Sequence, residues 1–339
     1  MGGVVTLLDV SGAGYAEASG LLQGGNVWAA HHYSVLADGL ADTGAMAGDS
    51  SFASSWASEY DAAAGAVLDA LRDAVGALGN LGRLSFASWE NHSRAERAST
   101  FGIERLVDLA GPVALGTHDW LEVPRRTPPS SLGGDPSSLP EWANRILDHV
   151  EGFVWPDADL DKLRAAAATW RTAGQGLDDV ATYPSRAITE LWNERSPEIL
   201  PATGAIGRLG VAVGDLGDQC RDLAELCDGY ASAVQEQRDA ILDLVSDLIR
   251  DAVAVQVAGF ALGFVTFGTA NGGAVAINLA KIAAAAPRFA RMLAALRAYA
   301  TTAATALSGT RLGVAGVGAR VAPMSSARLL MTAEVGKVG

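Results

Sequence analysis

The chain is poor in aromatics and cysteine, and short of basic residues over most of its length. Phe, Trp and Tyr make up 6% of the 339 residues while hydrophobic residues reach 49%, much of that share being alanine. Runs of Val, Ile, Tyr and Phe are few, which disfavours a large sheet and favours closely packed helices. Only Cys220 and Cys227 occur. Seven apart on a helical pattern, they lie ~10 Å apart along the axis, beyond the ~7 Å Cα separation that a disulfide bridges. They read as small buried hydrophobes, or as halves of an intermolecular bridge. The formal charge is -13, yet Lys281, Arg288, Arg291, Arg297, Arg311, Arg320, Arg328 and Lys337 face a single acid, Glu334, from residue 281 onward. An acidic body ahead of a basic tail excludes nucleic acid as the expected partner and leaves a membrane surface or an acidic protein for the tail.

Catalytic signatures are missing as well. His31 and His32 are adjacent, about 100° apart on a helix, and do not form the one-face pair that binds a metal. His92, His118 and His149 are scattered. No Gly-x-Ser-x-Gly elbow occurs, and no Gly-x-x-x-x-Gly-Lys-Ser/Thr phosphate loop. The glycines of Gly313-Val314-Ala315-Gly316-Val317-Gly318 are in the wrong order for a dinucleotide loop. The expectation is a protein without catalytic, cofactor-binding or metal-binding residues, and not an enzyme. The N-terminus, Met1-Gly2-Gly3-Val4-Val5, has no basic region ahead of its apolar run, so no cleavable secretory signal is expected.

What the chain does carry is helical periodicity. Leu160, Leu163, Ala167, Trp170, Gly174, Leu177 and Ala181 follow 3-4 spacing, and Leu223, Leu226, Tyr230, Val234, Ile241, Leu244 and Leu248 nearly repeat it. Two such seams around a break at Trp192-Asn193-Glu194 predict a hairpin of long helices over 155–250. A smaller unit precedes it: helix from about Tyr15 to Ala47, a Gly48-Asp49-Ser50-Ser51 break with Asp49 or Ser50 as cap, then Trp56, Tyr60, Ala64, Val67, Leu71, Val75 and Leu78 on one face. Another helix is expected over 85–109. Prolines 124, 128, 129 and 136 with Gly133 and Gly134 mark a linker. Ser138 and Glu141 have capping-box spacing, and Asp159 is placed to cap the first long arm.

Residues 252–286 are apolar, with Asn271-Gly272-Gly273 in the middle. Three readings stand: an apolar helical hairpin packed on the bundle, the same hairpin inserting in a membrane, or a segment covered by a partner. Phe260, Phe264 and Phe267 are the membrane-insertion candidates. A basic amphipathic helix to about residue 306 and a flexible tail follow.

The expected fold is all-α: two linked helical bundles built on long antiparallel hairpins, plus an apolar C-terminal helical hairpin. The boundaries are a first helical module at 1–110, a linker at 111–138, a second hairpin module at 139–250, the apolar hairpin and basic helix at 251–306, and a tail at 307–339. Trp170 belongs to the seam. Trp56 and Trp192, near the breaks, read either as anchors of the turns or as surface aromatics for a partner, because interface hot spots favour Trp.

In order, these pieces resemble the WXG-type helical-hairpin proteins of type VII (ESX) secretion, in particular the N-terminal regions of actinobacterial polymorphic toxins. The resemblance rests on Met46-Ala47-Gly48-Asp49 with Trp56-Ala57-Ser58-Glu59-Tyr60-Asp61-Ala62-Ala63, on the linker Pro128 to Gly134, and on Trp155-Pro156-Asp157 with Leu163 to Ala167 and Trp170-Arg171. It covers about residues 30–250. Glu194 stands where the family's Trp-x-Gly turn has glycine, and no tyrosine has Asp or Glu four residues later, so the family's export tag is missing. The resemblance implies a secretion or trafficking module of a secreted or cell-surface toxin-like protein. Its implied partners are a small WXG-type helical-hairpin protein, able to supply the missing tag, and the type VII export ATPase. Trp56, Trp170, Trp192 and Tyr230 would be its recognition residues, and membrane contact would run through 252–297. The alternative is a membrane-inserting or pore-forming protein acting through 252–286.

Overall fold

The computed structural model describes residues 12–101, 120–255, 264–268 and 274–326. Among them, six α-helices carry the architecture: α1 (Ala13–Ala41), α2 (Ala53–Phe101), α3 (Glu141–Leu147), α4 (Leu160–Leu191), α5 (Ile199–Val255) and α6 (Leu279–Ser325). The protein is all-α, with one short antiparallel ribbon of β1 (Phe264–Gly268) and β2 (Ala274–Asn278) at one end.

The seams do what their spacing demands. Leu163, Ala167, Trp170 and Leu177 of α4 are buried together with Leu223, Tyr230 and Val234 of α5. On α2 the whole row Trp56, Tyr60, Ala64, Val67, Leu71, Val75 and Leu78 is buried in that same cluster. The α1–α2 and α4–α5 hairpins therefore pack face to face around one core, and α6 lies along α2 and α5 and closes it. Small residues allow the close approach of α1 to α4: a Cβ on Gly14 would come within 2.5 Å of the Glu190 carbonyl, and one on Gly39 within 2.7 Å of Thr169. A second, smaller cluster joins Ile146 and Leu147 of α3 to Ile241, Leu244 and Val245 of α5 and to Ile282 and Phe289 of α6.

Several expectations change. The helix from Phe52 does not stop near Leu78 but continues as α2 to Phe101, and the second arm begins at Ile199, because Ile206, Leu209, Ala212, Val213 and Leu216 bury the glycine-rich stretch. Pro184 does not interrupt α4. It sits inside the helix, buried, and its ring takes the space left by Gly210 of α5. Ser138 forms no capping box: α3 starts after Pro140 without a side-chain cap, and the Ser138 hydroxyl instead accepts from Trp155 Nε1 at 3.0 Å and Arg238 at 3.2 Å. The stretch expected as a loose tail is helical to Ser325, since Leu307, Val314, Val317 and Val321 are buried against the body.

The apolar hairpin turns back as expected, but its arms at 264–268 and 274–278 are strands rather than helices. Phe-Val-Thr-Phe and Val-Ala-Ile are β-branched and aromatic sequences that suit a pleated ladder. Phe264 pairs with Asn278, Val265 with Ile277 and Phe267 with Val275. Phe260 and His118 lie outside the described residues.

Candidate recognition surface

Three of the four residues singled out for recognition are interior. Trp56, Trp170 and Tyr230 are fully buried, so they cannot present a surface to a partner. Their role is to join the two hairpins. The Trp56 indole lies between the rings of Tyr60 and Tyr230, at centroid distances of 5.0 and 4.7 Å and nearly parallel to both. Trp170 Nε1 donates to the Tyr60 hydroxyl at 3.0 Å, and the Tyr230 hydroxyl donates to the Ala47 carbonyl at 2.9 Å. The stack thus ties α2 and the α1–α2 turn to α4 and α5. Burial pushes the phenols of Tyr60 and Tyr230 well up and the Cys220 thiol up to about 12. These groups stay neutral.

The linker and the entry to α4 meet beside this stack. Gly48 and Gly133 pair in an isolated bridge, and the Asp159 N–H donates to the Met46 carbonyl at 2.9 Å. Asp159 caps α4 by accepting from Lys162 N at 3.0 Å. The buried guanidinium of Arg238 donates to the Pro156 and Ala158 carbonyls at 2.7 and 2.6 Å, with its cation over the Trp155 ring.

Trp192 is different. It closes α4 at the tip of the second hairpin and is 59% exposed. Two residues on, Glu194 turns inward and is 3% exposed. Its carboxylate accepts the Gly14 N–H at 2.8 Å, which satisfies one of the open donors in the first turn of α1 and complements that helix's positive end. A glycine at this place would leave that donor bare, so the departure from a Trp-x-Gly turn has a physical purpose. Glu198 completes the tip: it accepts from the Tyr15 hydroxyl at 2.8 Å, lies 2.5 Å from His92 Nε2, and takes the Ser196 hydroxyl on its other oxygen. Burial alone would raise its pKa, but the Ser196, His92 and Tyr15 hydrogen bonds outweigh it and hold the carboxyl at about 2. Burial raises the Tyr15 phenol to about 12. The tip thus locks α1, α2 and α5 and offers one free aromatic, Trp192.

An exposed patch on α1 was missed from sequence. Trp28 is 49% exposed, with Val27 and Val35 at 42% and 41%. Trp28 stacks on His32 and meets His31 edge-on. The available signal was that no Asp, Glu, Lys or Arg occurs from Ala18 to Ala37 in an otherwise charged chain. Among the described residues, no group of three or more His, Cys, Asp or Glu converges on a metal-sized site.

Residues 134–286 match the WXG100 like domain family, so this part of the chain carries a WXG100-like domain. The chain is 30% identical over 223 residues to the outer membrane channel protein CpnT of Mycobacterium tuberculosis and to that of Mycobacterium bovis, a match covering 63% of this chain and 24% of each relative. It is 33% identical over 175 residues to the putative NAD(+)--arginine ADP-ribosyltransferase Mav of Mycobacterium avium, covering 50% of this chain and 19% of that protein. The matched region therefore spans a quarter or less of the curated relatives. No solved structure matches the chain. The expectation of a protein that is not an enzyme is overturned by the third relative, a putative ADP-ribosyltransferase.

Proposed function

We propose that this chain is the export and delivery module of a type VII-exported toxin-like protein, recognised as paired helical hairpins. The observation that carries this reading is the shared core: the α4–α5 hairpin of the WXG100-like region has its seam filled by the chain's own α1–α2 hairpin through the Trp56, Tyr60, Trp170 and Tyr230 stack. The export ATPase reads the outside of this composite, with Trp192 at the tip as one contact. A small WXG-type helical-hairpin protein joins from outside and supplies the Tyr-x-x-x-Asp/Glu tag. The relatives' names supply two effector chemistries, channel formation in an outer membrane and NAD(+)-dependent arginine ADP-ribosylation, and either suits a protein carrying this module. The test is secretion of the tagged chain by an actinobacterial host with and without a working type VII ATPase. Appearance in the medium only with the ATPase supports the reading; equal release in its absence overturns it.

A second reading is favoured by one observation, the apolar ribbon followed by a helix free of acids from Leu279 to Ser325. Here residues 252–297 contact a membrane, with the ribbon as the first segment to enter. Five-residue strands reach only ~17 Å, short of the roughly 9–11 residues with which a strand crosses a bilayer, so the ribbon by itself inserts without crossing. Dye leakage from anionic vesicles that is lost in Val265→Asp/Phe267→Asp supports it. Intact vesicles overturn it.

A further inference from the structure

The outer face of α1 has a composition unlike the rest of the surface. Gly20, Gly24, Val27, Trp28, His31 and Val35 recur at the spacing of a single helical stripe, within twenty residues that carry no Asp, Glu, Lys or Arg. Such a stripe is ~30 Å long. Val27, Trp28, His31 and Val35 are exposed, and a Cβ added at Gly20 would meet nothing within 4 Å. The opposite face of the same helix, with Leu22, Tyr33, Leu36 and Leu40, is buried in the core, and Tyr183 of α4 packs on Gly24, so the uncovered part of the stripe is Gly20 and the run from Val27 to Val35. It is also preorganised. The Trp28 ring rests against His31 and His32, and His32 fits over Gly176 of α4, where a Cβ would collide with the imidazole. A rigid, half-exposed tryptophan in an uncharged stripe is the kind of residue that dominates interfaces.

The charges around the stripe select the occupant. Glu17 and Asp42 stand exposed at its two ends on the same face, and the exposed Asp179 of α4 is close enough to act on His32. Asp38, also on the stripe, is held by Arg126 from the linker, and Arg186 lies over the Tyr183 ring. The border thus offers the carboxylates of Glu17, Asp42 and Asp179, on a chain of net charge -13.

We propose that this face seats an amphipathic helix of a partner protein whose apolar stripe is bordered by lysine or arginine. The proposal deepens the export reading by naming the chemistry of the partner. Because binding is measured on the purified full chain, its failure leaves the secretion result standing, and the reverse also holds. The probe is a fluorescently labelled 21-residue helical peptide with leucine at heptad a and d positions and lysine elsewhere, and its match with glutamate in place of lysine. The expected result is binding of the lysine peptide that weakens tenfold or more in Trp28→Ser/Val35→Ser and in Val27→Asp, is kept in Trp28→Phe and Trp192→Ser, and is at least tenfold weaker for the glutamate peptide. All four sites are exposed, and unchanged circular dichroism is the check on folding. Equal binding to wild type and Trp28→Ser/Val35→Ser, or equal affinity for both peptides, overturns the proposal. So does a wild-type dimer in sedimentation that Trp28→Ser dissolves, which would assign the face to a second copy of this chain.

Discussion

Glu194 shows how one side chain can replace a family feature and give the fold something in return. Its carboxylate is buried at the first turn of α1 and holds the Gly14 N–H. Glu194→Gly restores the Trp-x-Gly pattern yet is expected to destabilise the chain by about 1–3 kcal/mol, the cost of a buried donor left without its partner. Urea unfolding measures this, and a variant at least as stable as wild type would refute the capping role. Glu198 at the same tip makes a pH-dependent contribution. Three side-chain hydrogen bonds hold it at about 2, below its ordinary value of 4.5. A carboxyl depressed in the folded state stabilises above the ordinary carboxylate pKa and loses that contribution as pH falls toward the folded value. The stability gap between wild type and Glu198→Gln should therefore be constant near neutrality, narrow below about pH 4.5, and close near pH 2. Denaturant titrations at pH 6, 4 and 3 test this, and a gap that does not change with pH would contradict it. The carboxylate is partly exposed, so solvent screens the effect.

At the scale of elements, the long seams were the most legible part of the sequence. The rows on α2, α4 and α5 were read from 3-4 spacing and are buried, and Asp159 caps α4 as its position suggested. Other parts were illegible for identifiable reasons. Pro184 and the glycines from 204 to 217 look like breakers in one dimension, but the ring of Pro184 packs on Gly210 and tertiary burial outweighs local propensity. Ser138 and Glu141 had the right spacing, but Trp155 and Arg238, distant in sequence, claimed the hydroxyl. The candidate site was legible only at Trp192. Trp56, Trp170 and Tyr230 carry the same residue types that make good hot spots, and only the packing of one hairpin on the other distinguishes a core tryptophan from a surface one. Helix α6 was underestimated because beyond Leu307 its buried positions Thr310, Val314, Val317 and Val321 are set among glycines and alanines. Its end is fixed by Asn80 of α2, whose Nδ2 donates to the Met324 and Ser325 carbonyls at 3.1 and 2.6 Å. Asn80→Ala should cost the last turns of α6 about 1–2 kcal/mol of local stability. In hydrogen exchange this appears as faster amides over 315–325 with α4 unchanged; equal protection in the variant would show that the contact does not hold the helix.

For the molecule as a whole, the question is whether the two hairpins are independent bundles or one cooperative unit. The main core draws on α1, α2, α4, α5 and α6 together, while the smaller cluster around Ile146, Val245 and Phe289 lies at the other end of α5. Trp170 sits where the hairpins meet, bonded to Tyr60 of the first from within the second. Removing it leaves a large cavity and takes away the N–H that the Tyr60 hydroxyl accepts, an expected loss of about 3–5 kcal/mol. If the hairpins form one unit, Trp170→Ala lowers the midpoint of a single transition, seen alike by far-UV circular dichroism and by tryptophan fluorescence. Amides of α1 and α2 would then lose protection together with those of α4, while those of α3 would change least. Loss confined to α4 and α5 would instead mean that the first hairpin folds alone and merely rests on the second. The composite surface assigned to export recognition would then exist only while the two stay docked.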